Sequence, residues 1–141
     1  MQEIIKQLKK SKRILLATHI HPDGDALGSL LGMGLGLEGI KKDIFLYNES
    51  PLPAVYQFLP STHRIKRQVD DFGAFETAVI LDCSDLQRVG EAAEAISRIP
   101  VLLNIDHHLT NTRFGSYQLI DPRASATAEI VYRLIMEMQI P

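Results

Sequence analysis

The chain has 141 residues, 45% of them apolar, a net charge of -2 and one cysteine, Cys83. That length predicts a single domain, residues 1–141, which buries about two thirds of its unfolded surface without help from disulfides, and the composition excludes disorder. The near-neutral charge excludes a global pull towards nucleic acid or membrane, and no window approaches the roughly 18 apolar residues of a membrane span. With no signal-peptide order at the N-terminus, the expectation is a soluble cytoplasmic protein.

Over residues 3–10, Ile4, Ile5 and Leu8 share one helical stripe, and Lys6, Lys9, Lys10, Lys12 and Arg13 read as a solvated face. Residues 13–18 are an apolar run without Gly or Pro, the pattern of a strand buried on both faces. Residues 22–25 are a loop. Residues 26–38 predict a helix, although each of its glycines costs up to about 1 kcal/mol relative to Ala. Gly28, Gly32 and Gly36 stand four apart on one face, which predicts close approach of that helix to the sheet or to another helix. Residues 43–47 predict a second strand, 54–71 an irregular connector with one short helical turn, and 77–81 a third strand. A short helix over 91–97, strands over 101–105 and 117–120, and a closing helix over 125–138 complete the chain. Strands alternating with helices, most of them apolar runs, predict an α/β fold: a doubly wound, mainly parallel five-stranded sheet with helices on both faces.

In such sheets ligands collect at the carboxyl ends of the strands. There the chain places His19, Asp23 and Asp25 after the first strand, Asp82 after the third, and Asp106, His107 and His108 after the fourth. Mixed carboxylate and imidazole sets suit Mn²⁺, Fe²⁺, Co²⁺ or Zn²⁺, and carboxylates alone suit Mg²⁺. Gly24 lets the Asp23 and Asp25 carboxylates diverge, and the N-terminus of the following helix, with Ser29 in its first turns, suits bound phosphate. Any one of these groups has an ordinary explanation as a turn or a cap; their joint placement at one sheet edge does not. A His-x-His after a first strand also opens metal-dependent barrels, but those need about 250 residues. An Asp-x-Asp also opens the haloacid-dehalogenase phosphatases, which place the first Asp at the strand end and lack the His pair. The Gly-x-Gly-x-x-Gly dinucleotide fingerprint is absent after the first strand.

The motifs resemble those of the DHH phosphoesterase superfamily. Asp106-His107-His108 matches its namesake motif, His19 to Ser29 its first motif, and Asp82 its second. Asn104 to Gly115 and Ala124 to Glu129 resemble the subgroup that degrades very short RNA and dephosphorylates 3'-phosphoadenosine 5'-phosphate (pAp). The resemblance implies a Mn²⁺-dependent phosphodiesterase and phosphomonoesterase with two ions, Mg²⁺ or Co²⁺ being alternatives. His19, Asp23 and Asp82 would hold one ion, and Asp25, Asp82 and His107 the other. His108 would meet the scissile phosphate or the leaving oxygen, and Asp106 would orient the histidines. His21 matches no ligand position and reads as a loop residue. Ser29, Arg88 and Arg113 are candidate substrate contacts. Expected partners are short single-stranded RNA or DNA or a nucleotide, no membrane, and a second copy of the chain.

In the family a fourth motif and a substrate-binding domain follow the closing helix. The expectation is therefore an N-terminal domain truncated before both, with one metal ligand missing. Two alternatives follow: a metal-binding or structural fragment without turnover, and a pyrophosphatase or cyclic-dinucleotide phosphodiesterase of the same superfamily.

Overall fold

The computed structural model describes all 141 residues. Its strands are β1 (Arg13–Thr18), β2 (Asp43–Tyr47), β3 (Ile65–Lys66), β4 (Thr77–Leu81), β5 (Val101–Asp106) and β6 (Tyr117–Ile120). Its helices are α1 (Gln2–Lys10), α2 (Gly24–Gly39), α3 (Ala93–Ser97) and α4 (Thr127–Glu137). The strands form one all-parallel sheet in the order β3-β2-β1-β4-β5-β6. The doubly wound α/β fold is thus as expected, with six strands instead of five. The additional strand is only two residues long and pairs Ile65 with Leu46 and Lys66 with Tyr47 at the edge. A pairing that short has no periodicity to read.

Two residues of β1 face each core, as the period of two demands. Ile14 and Leu16 join a cluster of 19 buried residues under α1, α2 and α4. Leu15 and Ala17 join a smaller cluster of 13 under α3 and the 3-10 turn at Leu86–Val89. Helical cover is therefore on both faces but uneven. The glycine face of α2 packs mainly on α4: a Cβ at Gly36 would stand 3.3 Å from Ile135, whereas Gly28 meets nothing. Gly34, on another face, makes the approach to the sheet, where a Cβ would stand 2.6 Å from Leu46 Cδ2.

The amino end of the sheet is closed by matched polar pairs. Glu76 Oε1 accepts the N–H groups of Lys12 (2.8 Å) and Arg13 (3.0 Å). Arg13 Nε pairs with Asp43 Oδ2 at 3.1 Å, and its guanidinium lies over Phe75. No helix is long and apolar enough to cross a membrane.

Candidate metal centre

The carboxyl ends of β1, β4 and β5, adjacent in the sheet, converge on Asp82. This residue turns into the left-handed region (φ 58), which an Asp tolerates better than most side chains. It is 2% exposed. A carboxylate removed from water needs partners. Its Oδ2 lies 3.6 Å from His19 Nε2, and its Oδ1 lies 3.5 Å from His107 Nε2 and 3.8 Å from His108 Nδ1.

His19 follows the last residue of β1 and is buried. Its Nδ1 sits 2.8 Å from the Ile20 carbonyl, so Nδ1 carries the proton and Nε2 is left to face the centre. The Asp82 carboxylate holds the His19 pKa above its ordinary value, against the opposing pull of burial. Asn48 donates to the Thr18 and His19 carbonyls and ties the end of β1 to the loop after β2.

Asp23 is the N-cap of α2: its Oδ1 accepts the Ala26 N–H at 2.9 Å and stands 4.0 Å from His19 Nε2. The helix therefore begins at Gly24, two residues earlier than the apolar pattern suggests, because an Asp cap supplies the acceptor that a free N–H needs. Gly24 has no Cβ, and the ring of Tyr56 occupies the adjoining space, 3.5 Å from where one would be.

Asp25, in the first turn of α2, presents Oδ2 3.5 Å from His107 Nε2. Its oxygens also accept the N–H groups of Thr127 (3.0 Å) and Ala128 (2.9 Å), at the start of α4. Ser29 departs from its expected substrate role. It is fully buried, and its hydroxyl donates to Asp25 Oδ1 one helical turn away.

Asp106 is the last residue of β5 and is fully buried. Its Oδ1 accepts a hydrogen bond from His108 Nδ1–H at 2.6 Å, and its Oδ2 accepts from Asn111 Nδ2 at 2.9 Å. His108 is thereby locked in the tautomer that turns Nε2 outward. The two imidazoles sit 4.5 Å apart, tilted by 49°. Arg88 and Arg113 are exposed. The Arg88 carbonyl accepts the Ile20 N–H, and the Arg113 N–H donates to Asn111 Oδ1. His21 is exposed in left-handed backbone, its N–H on Ser50.

Two overlapping groups of donor atoms therefore lie within 4.8 Å of one another: His19, Asp23 and Asp82, and Asp82, Asp106, His107 and His108. Asp82 is common to both. Borderline imidazole and hard carboxylate donors in this mixture fit a divalent cation of the Mn²⁺–Zn²⁺ series. Cys83, next in the chain, is not part of the set. Its Sγ donates to the Asp85 carbonyl, and burial pushes its pKa up to about 12.

Asn104, Asn111 and Thr127 support the centre without having been singled out as site residues. Asn104, a polar residue inside an apolar strand and fully buried, was the visible signal. Its amide and that of Asn111 exchange hydrogen bonds of 2.9 and 3.1 Å.

The family model described as the DHH family, N-terminal domain, matches residues 13–141. A bifunctional oligoribonuclease and PAP phosphatase NrnA from Thermus thermophilus is 37% identical over 123 residues, covering 86% of this chain and 36% of that protein. The protein of the same name from Bacillus subtilis is 27% identical over 137 residues, 96% of this chain and 42% of its own length. The crystal structure of an exopolyphosphatase-related protein from Bacteroides fragilis superposes with a TM-score of 0.89 at 26% identity, over 97% of this chain and 43% of that one. The chain thus spans less than half the length of each of these relatives. It belongs to the DHH phosphoesterase family, as an N-terminal domain with a metal-type cluster at the carboxyl edge of its sheet.

Proposed function

We propose that this chain is the catalytic N-terminal domain of a cytoplasmic phosphoesterase that hydrolyses short oligonucleotides and pAp. The observation that carries the reading is Asp82, buried and facing imidazoles on two sides, with Asp23 and Asp25 beyond them. In this reading Asp82 is the shared ligand. His19 and Asp23 complete one site, and Asp25 and His107 the other.

Two Mn²⁺ ions, or Mg²⁺ or Co²⁺ in their place, would activate water and stabilise the charge of an in-line displacement at phosphorus. The chain's own residues do the rest. The strand ends hold the donors on a rigid edge, so little ordering is left for binding to supply. Asp106 keeps the His108 Nδ1 protonated and leaves Nε2 to meet the phosphate or hand a proton to the leaving oxygen. In this reading Arg88, exposed in the 3-10 turn after β4, and Arg113, exposed in the loop after β5, are the candidates to meet substrate phosphates.

The test is phosphate release from pAp and shortening of a di- to pentanucleotide RNA, with and without Mn²⁺, by residues 1–141 and by the whole protein. Mn²⁺-dependent turnover by the whole protein is expected, with little or none from residues 1–141. Turnover of pyrophosphate or cyclic dinucleotides in preference to pAp would move the substrate within the superfamily. The partial coverage of the relatives favours a second reading for the isolated piece, a metal-binding module without turnover. Whole-protein-like rates from residues 1–141 would overturn that reading. A homodimer is part of the proposal, and monomeric sedimentation would exclude one.

A further inference from the structure

Thr127 lies outside all three strand-end clusters, yet its two donors reach two of the site's carboxylates. We propose that Thr127 is a positioning residue of the metal centre: its hydroxyl sets the rotation of the Asp82 carboxylate, and its amide, with that of Ala128, sets Asp25. This inference rests on the two-metal reading above.

The first half of the argument is a missing cap. Helix α4 follows Ala126, which is extended (φ -161, ψ 157) and has no side-chain acceptor for the first free N–H groups. Asp25 supplies one from 102 residues earlier in the chain. Oδ2 takes the Thr127 N–H and Oδ1 the Ala128 N–H, so both oxygens are pinned and the carboxylate plane is set. The remaining capacity of Oδ2 then faces His107 Nε2.

The second half is the hydroxyl. Thr127 is fully buried, where a hydroxyl without a partner is costly and a valine would fill the same shape. Its Oγ1 donates to Asp82 Oδ1 at 3.0 Å, with Asp106 Oδ1 at 3.5 Å. Asp82 must offer one oxygen towards His19 and the other towards His107. The terminal carboxylate torsion is broad, so packing alone selects its angle weakly. A donor fixed on Oδ1 selects it. One residue thus registers the first and second motifs against each other, and α4 becomes part of the site.

The experiment titrates Mn²⁺ into the protein and reads the electron paramagnetic resonance signal of the free ion, for wild type, Thr127→Val, Thr127→Ser and Thr127→Ala, with melting curves in chelator alongside. Partners that orient metal ligands are worth about 10–100-fold in affinity. Thr127→Val and Thr127→Ala are expected to lose that much, and Thr127→Ser to recover most of it. A purely structural role would lower the melting temperature and leave the affinity of the folded protein intact, which overturns the inference. Equal losses in Ser and Ala overturn it as well, because they differ by the hydroxyl. If Thr127→Val does not fold, the Ser and Ala pair decides alone. Wild type that binds no Mn²⁺ sinks the metal reading and this inference together, whereas tight binding by wild type and Thr127→Val alike sinks only this one.

Discussion

The two ends of one parallel sheet use the same acidic residue types for opposite purposes. At the amino end each acid has its own partner: Asp43 has Arg13, and Glu76 has two backbone N–H groups that hold its pKa down. At the carboxyl end Asp23, Asp25, Asp82 and Asp106 face one another across three imidazoles, with no Lys or Arg paired to any of them. The first end is electrostatically complete. The second carries more negative charge than its own side chains balance, and a bound cation is what would balance it. The difference shows that the number of acids does not mark a site; several carboxylates gathered around shared imidazoles, with no Lys or Arg among them, do.

If that contrast is right, Asp82→Asn has the largest effect of any change considered. It should abolish Mn²⁺-dependent hydrolysis of pAp and weaken Mn²⁺ binding by more than the roughly 10–100-fold that a supporting partner is worth. Retained binding in a titration would break the contrast outright. Asn111→Ala removes a donor from Asp106 Oδ2 and should cost about 10–100-fold in turnover. Steady-state rates at saturating Mn²⁺ check this.

A pH series sharpens the same point. The His19 pKa is raised in the folded state, so its contribution to the stability of the metal-free protein is fully present below about 6.5 and is lost as pH rises through the higher folded value. Mn²⁺ competes with that proton, so its affinity should climb over the same window. Melting curves in chelator and in Mn²⁺ should therefore diverge as pH increases, and parallel curves would contradict the assignment of His19. The smallest effect belongs to the other end. Asp43→Asn breaks an exposed pair and should shift stability by under about 1 kcal/mol, leaving Mn²⁺ affinity unchanged.

Much of this arrangement is legible in the chain because the central strands, buried on both faces, read as apolar runs and the outer ones as shorter β-prone segments. Arg13–Thr18, Asp43–Tyr47, Thr77–Leu81 and Tyr117–Ile120 have the bounds their composition predicts. Acids and imidazoles interrupt such runs where the strands end, so the cluster is visible too. What was not legible depends on direction. Ser29 sits on the right helix but points inward to Asp25. Asp106 reads as the first residue after a strand and is instead its last, paired with Ile120. Asn111 acts through a loop that folds back on Cys83 and Asp106, a return no spacing encodes.

Cys83 adjoins the hub residue Asp82, yet its thiol is buried and its pKa lies near 12. Thiolate is the reactive form, so at neutral pH this sulfur is chemically silent. Thiol-directed alkylating reagents should leave Cys83 unmodified until the protein unfolds. The chain's only sulfhydryl then becomes a reporter of unfolding, set one residue from its most important carboxylate.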